Sequence, residues 1–146
     1  MSQQAEQILN GVLIEMARSL LQYVAEAWPW VDVQKQSIED QVLVLAARQR
    51  QDVSDIVEEL NDREHPIDFG TFPTEYTDLQ FLSLGALFDP LLHSQKLLAE
   101  SLDAAIGQLS TLGDTEAAQL LQAIKIRQAE ITTALGELQQ QLTAAA

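Results

Sequence analysis

Cysteine is absent from this chain of 146 residues, histidine occurs twice, and Lys plus Arg number 8 against 22 Asp plus Glu. Without cysteine there is no disulfide framework, zinc knuckle or thiol nucleophile. That fits a reducing compartment. Two histidines, His65 and His93, are too few for a histidine-rich di-metal site. The formal net charge of -14 repels phosphate backbones and anionic headgroups. Arg48 and Arg50, and likewise Lys125 and Arg127, stand isolated among acids, so no electrostatic footprint for nucleic acid exists. No apolar run is long enough to span a bilayer. The start, Met1-Ser2-Gln3-Gln4, has neither the basic residues nor the apolar stretch of a signal peptide. A cytoplasmic protein without nucleic-acid or membrane partners is expected. Gly-rich phosphate loops, G-x-S-x-G elbows and kinase signatures are also missing. Ser19, Ser83 and Ser101 lack an evident His partner. No catalytic residue, metal ligand or cofactor is expected.

What the chain does have is apolar periodicity. Hydrophobic residues make up 47%, enough for one packed core in one domain spanning 1–146. A first helix is predicted from Gln4 to Ala27, because Ile8, Leu9, Val12, Leu13, Met16, Leu20, Tyr23, Val24 and Ala27 recur at three- and four-residue steps. Pro29 stops it. Asp32 can cap a second helix, which carries Ile38, Val42, Leu45, Gln49, Val53, Ile56 and Leu60 and ends near Asp62. A third helix begins near Thr77, with Gln80 completing a capping box. Its stripe is Phe81, Leu84, Phe88, Leu91, Gln95, Leu98, Leu102, Ala105 and Leu109. Pro90 predicts a kink there, and the unbroken phase of the stripe predicts one bent helix. Gly113-Asp114-Thr115 punctuates the start of a fourth helix, with Ala117, Leu121, Ile124, Gln128, Ile131, Leu135, Leu138 and Leu142 inside. A period of about 3.5 is the seam of nearly aligned packed helices. The fold class is all-α, a four-helix bundle.

The segment from Arg63 to Tyr76 is longer than the roughly 2–8 residues that usually link bundle helices. Extended at about 3.3 Å per residue it spans roughly 45 Å. The second helix, at about 1.5 Å rise per residue, has a similar length. The segment can therefore run the length of the bundle, and Ile67, Phe69, Phe72 and Tyr76 suit a strap packed along it. Such a crossover leaves the second and third helices parallel. A wide loop at one end, giving up-down-up-down order, is the alternative.

Two helix pairs joined by one long crossover resemble the ferritin-like fold. That resemblance implies a Glu on each of two helices and Glu-x-x-His on each of the other two, holding metal. Glu-x-x-His does not occur in this sequence, so no ligand residue carries over. Glu15 lies roughly 120° from the centre of its stripe, with Met16 inside. His93 lies nearly opposite its own stripe and pairs at i, i+4 with Asp89 on the outer face. Glu130 and Glu137 also point outward.

Gln49, Gln95 and Gln128 fall within three of the stripes at mid-length. Buried amides must hydrogen-bond, so these three form a candidate core polar layer that sets register, or that holds a small polar ligand. A second apolar line on the first helix, Ile14, Ala17, Leu21 and Trp28, needs cover from the strap or from a second copy. Ile14, Leu21 and Trp28 are the candidate interface of a homodimer. Trp28-Pro29-Trp30 adds two large rings at the helix end. The leading functional expectation is a non-catalytic ferritin-like bundle acting through self-association or partner binding. The alternative is a metal- or small-ligand-binding bundle using the core polar layer. A third is a small adaptor bundle of simple topology.

Overall fold

A computed structural model describes residues 3–27, 35–79 and 83–144. Its helices are α1 (Gln4–Ala17), α2 (Leu20–Ala27), α3 (Gln36–Asp62), α4 (Leu84–Leu112) and α5 (Thr115–Ala144). The apolar stripes point inward and fill two compartments. One holds Leu9, Leu13 and Met16 with Ile56, Leu60, Leu102, Leu109 and Leu121. The other holds Leu20, Leu21 and Val24 with Val42, Leu84, Phe88, Leu91, Leu135 and Leu138. Burying such side chains stabilises by about 1.5–3 kcal/mol each before conformational entropy is subtracted.

Helix direction follows from these compartments. The first helix and α5 run from the first compartment to the second; α3 and α4 run the other way. The second and third long helices are therefore parallel, and their connection is a crossover. It travels along α1 and α2. Ile67 packs on the first compartment, and Asn10 exchanges two hydrogen bonds with the Asp68 backbone, at 3.1 and 3.0 Å. Arg18 Nε donates to the carbonyls of Phe69 and Gly70 at 3.0 and 3.2 Å. Further along, the Phe72 and Tyr76 rings sit 5.2 and 5.4 Å from that of Tyr23. At Gly70 the strap passes so near α1 that a Cβ would stand 2.7 Å from Ile14, and its φ of +64° is itself a glycine conformation.

Two features differ from the sequence expectation. The first helix is not continuous: α1 ends at Ala17 and α2 starts at Leu20, with neither proline nor glycine between them. The Ser19 amide turns back to the Met16 carbonyl, and the Leu20 amide takes Ser94 Oγ at 3.4 Å. The third long helix starts at Leu84 rather than near Thr77. Ser83 is its N-cap and accepts from the Ala86 amide, whereas Thr77 Oγ1 donates to the Thr74 carbonyl inside a 3-10 turn, Thr74–Leu79. It then runs as one helix through Pro90 to Leu112. The Asp32 cap, the Gln80 capping box and Phe81 lie outside the described residues, as do Trp28, Pro29 and Trp30.

Both long-helix ends at one pole are closed by left-handed residues. Glu64 (φ 57°) follows α3, with the His65 amide reaching the Leu60 carbonyl. Gly113 (φ 79°) follows α4, with the Asp114 amide reaching that of Leu109. These are Schellman closures. Asp114 Oδ1 then accepts from the Ala117 amide and caps α5.

A buried polar layer and the cleft beside it

Each long helix interrupts its apolar stripe at the same height, between the two compartments. The interruptions are Ser19 and Gln22 on the first helix, Gln49 and Asp52 on α3, Gln95 on α4 and Gln128 on α5, all buried. Gln49, Gln95 and Gln128 meet directly. Gln49 Nε2 donates to Gln95 Oε1 at 2.8 Å and to Gln128 Oε1 at 3.0 Å. Gln95 Nε2 donates to Gln128 Oε1 at 3.2 Å and to Thr132 Oγ1 at 3.4 Å.

The two ends of the network set its direction. Asp52, as a carboxylate, can only accept, and Gln128 Nε2 donates to its Oδ2 at 2.7 Å. Gln128 must therefore turn its oxygen to Gln49 and Gln95. The Gln49 oxygen in turn faces Ser19 Oγ and Gln22 Nε2, both at 2.9 Å. Arg50, which can only donate, meets Gln22 Oε1 at 3.3 Å. Asp52 Oδ1 receives Arg127 Nε at 2.6 Å, and the same guanidinium reaches Asp55 at 3.3 Å. A carboxylate only 2% exposed is thus neutralised, as a buried charge requires.

This arrangement answers whether the layer suits a metal ion. Its donors are amide and carboxylate oxygens. Gln49 Oε1 and Gln128 Oε1 each already accept two N–H or O–H groups, and the one carboxylate is held by Arg127. An iron centre needs free, negatively charged ligands, so the layer as built does not fit one. Among the described residues no group of three or more His, Cys, Asp or Glu is placed to hold a metal. Glu15 is exposed and accepts from Ser101 Oγ, and His93 is exposed. Asp89, expected to pair with His93, instead accepts from Gln139 Nε2 at 2.7 Å.

One side of the layer is reached from solvent. A cleft of about 240 Å³ opens where α1 breaks, between the break, the strap and α4. Arg18, Ser19, Thr71, Tyr76 and Ser94 give it polar groups; Ile14, Leu97 and Leu98 give it an apolar wall. Ser19 belongs to both cleft and layer, since its hydroxyl donates to Gln49. The Arg18 guanidinium carbon lies 4.8 Å over the Phe72 ring. Burial pushes the Tyr76 phenol above its ordinary range, partly offset by its hydrogen bond to Ser94.

Of the candidate interface residues Ile14, Leu21 and Trp28, Leu21 departs from the expected interface role and Ile14 has the strap as its cover. Leu21 is fully buried by its own chain. Ile14 lies beneath the strap at Gly70. Trp28 lies outside the described residues. Leu21→Glu would therefore disrupt the core rather than dissociate a dimer. Ser19, Gln22, Asp52 and Thr132 join the layer without having been expected there from the sequence. Two of these have a signal: Asp52 and Thr132 follow Gln49 and Gln128 by three and four residues, on the same faces.

The family model of the ferritin-like domain matches residues 6–145, and the chain belongs to that family. Among solved structures, two crystal structures of variants of the ferritin PmFTN soaked in iron are similar to it. The variant soaked for 45 min gives a TM-score of 0.74 at 19% identity, covering 98% of this chain and 90% of that one. The variant soaked for 3 h gives 0.75 at 16%, covering 97% and 89%. At these identities the likeness concerns the fold. No curated protein matches the chain. The family match and these relatives overturn the expectation of a non-catalytic bundle acting through self-association or partner binding; the metal- or small-ligand-binding alternative accords with them better. No helix among the described residues is long and apolar enough to cross a membrane.

Proposed function

We propose that this ferritin-like chain works by binding a small ligand at its mid-bundle polar layer, entered through the cleft at the break between α1 and α2. The observation that supports this reading most is the double position of Ser19, in the wall of the cleft and hydrogen-bonded to Gln49. A ligand that displaces or extends that bond touches a network reaching from Arg50 to Arg127. At the break the Ser19 and Leu20 amides exchange the usual i→i−4 bond for the Met16 carbonyl and Ser94 Oγ, a feature common where backbone serves a site. Mass spectrometry of the small-molecule extract from freshly purified protein tests the reading. A stoichiometric compound that is lost when Ser94→Phe fills the cleft supports it. An extract without one, together with an empty ligand-observed NMR screen, would contradict it.

Metal binding is a second reading, favoured by family membership and by the iron-soaked relatives. It places the ion outside the closed hydrogen-bond network of the layer. Anaerobic Fe(II) titration with elemental analysis decides it: saturable, stoichiometric uptake supports the reading, and a metal-free protein that takes up none removes it. A cytoplasmic location and a homodimer are also part of the proposal. The dimer contact does not use Leu21, and light scattering reads the assembly directly.

A further inference from the structure

We propose that the ligand of the cleft is a small monocarboxylate-bearing molecule and that Arg18 is the residue that reads its carboxylate. This rests on the ligand-binding reading above. Arg18 makes no ion pair among the described residues, in contrast to Arg48, Arg63, Lys125 and Arg127. Its Nε is spent on the Phe69 and Gly70 carbonyls, and Phe72 covers a face of the guanidinium. The two terminal nitrogens remain for a ligand, on a group already held in place from two sides. A guanidinium presented in this way matches a carboxylate in a two-point fork. Holding it in advance removes much of the ordering cost of binding.

The remaining walls narrow the class. A space of about 240 Å³ is below the roughly 300–1,000 Å³ of drug-sized pockets. Ile14, Leu97 and Leu98 offer a short aliphatic chain its contact, and Leu97 is 48% exposed. Ser94 and Tyr76, hydrogen-bonded to each other, contribute hydroxyls to the same lining as Arg18. Glu15 stands in the same wall, one turn before Arg18, with its carboxylate accepting from Ser101 Oγ at 2.9 Å. That charge disfavours phosphates and dicarboxylates, which would bring a second negative group to it. It tolerates a plain monocarboxylate and favours one that also carries an ammonium group, as an amino acid does.

The test titrates the full chain with isovalerate, leucine and isovaleramide, which share one branched aliphatic group. Binding is followed by NMR at the Arg18 Nε–H and at the amides of Leu20 and Ser94. The expected result is a saturable shift at these positions with isovalerate or leucine, and binding of isovaleramide weaker by about tenfold or more. Arg18→Lys keeps the charge, loses the fork and weakens the carboxylates selectively. Glu15→Gln weakens leucine alone if an ammonium group faces it, and leaves isovalerate unchanged. Equal binding of isovaleramide and the carboxylates overturns the carboxylate assignment while keeping the cleft as a ligand site. Shifts that map away from Arg18, or no saturable shift with any of the three, also overturn it. The broader ligand-binding reading falls only with the extract and the screen described above. The comparison of ligands on the wild-type chain needs no variant to fold.

Discussion

α5 passes the middle of the bundle as an unbroken helix, Thr115–Ala144, whereas the first helix breaks at the same level after Ala17. Both deliver polar groups to one layer. Gln128 has a side chain long enough to reach the bundle axis while its backbone stays helical. Ser19 is short, and its hydroxyl reaches Gln49 from a backbone that has stepped out of the helix. The step forfeits helical hydrogen bonds, only partly replaced by the Met16 carbonyl and Ser94 Oγ. Nothing in Ala17-Arg18-Ser19-Leu20 forces it locally, so contacts from outside must hold it. Those contacts are the strap carbonyls on Arg18, the Phe72 ring and the buried amides. One side of the bundle is closed and regular; the other is held in an irregular shape, and there a cleft meets the polar layer.

The largest effect is expected at the hub. Gln49→Leu leaves Ser19, Gln22, Gln95 and Gln128 short of a partner and should lower stability by about 3 kcal/mol in urea denaturation, because each buried unpaired group costs about 1–3 kcal/mol. Replacing Gln49, Gln95 and Gln128 together is not neutral either, as a self-contained layer of three amides would allow. Asp52, Ser19 and Gln22 remain buried, and Asp52 keeps only Arg127. If the triple variant matches wild type, the two sides of the bundle are not joined through this layer.

Gly70→Ala separates the two sides next. A positive φ and a methyl 2.7 Å from Ile14 should cost about 1–2 kcal/mol and loosen the strap. In NMR spectra the Tyr23 and Phe72 rings should then no longer show cross-peaks to each other, while α4 and α5 keep their amide protection. Uniform loss of protection across all the helices would show that the two sides do not respond separately.

A smaller effect belongs to the far pole. The bidentate Arg63 hydrogen bonds to Asp114 hold the Asp114 carboxyl below its ordinary value, against desolvation, which raises it, and assisted by the Ala117 amide. The folded pKa is depressed, so this contribution is fully present above the unfolded value of about 3.9 and is lost as pH falls through the lower folded value. Asp114→Ala should remove about 1 kcal/mol at neutral pH through the lost cap and ion pair, and flatten stability against pH in the acid range. The smallest effect is Lys125→Ala on the regular side. Its pair with Asp103 is about half exposed, and its loss should fall within about 0.5 kcal/mol.

The regular side is the legible one. Stripes on α3, α4 and α5, the crossover length and the Gly113 closure follow from periodicity and turn chemistry, which act locally. The burial of Gln49, Gln95 and Gln128 lies within the same periodicity. The break after Ala17 is not legible, because its cause is tertiary: Arg18 responds to a strap about fifty residues away, and Ser19 to Gln49 on α3. The late start of α4 is hidden because Thr77 has the chemistry of a cap and turns instead onto Thr74, leaving the end of the helix to Ser83. The spacing from Gln49 puts Asp52 on the inner face, but not its partner: its charge is answered by an arginine on another helix, Arg127.

Side-chain amide hydrogen exchange reads the closure of the layer, comparing Gln22, Gln49, Gln95 and Gln128 with the exposed Gln119. The four buried amides should exchange far more slowly than Gln119, and isovalerate or leucine in the cleft should change Gln49 and Gln22 before Gln95 and Gln128. Exchange of the four at the rate of Gln119, or a ligand response absent from Gln49, would contradict a closed polar layer reached through the broken helix.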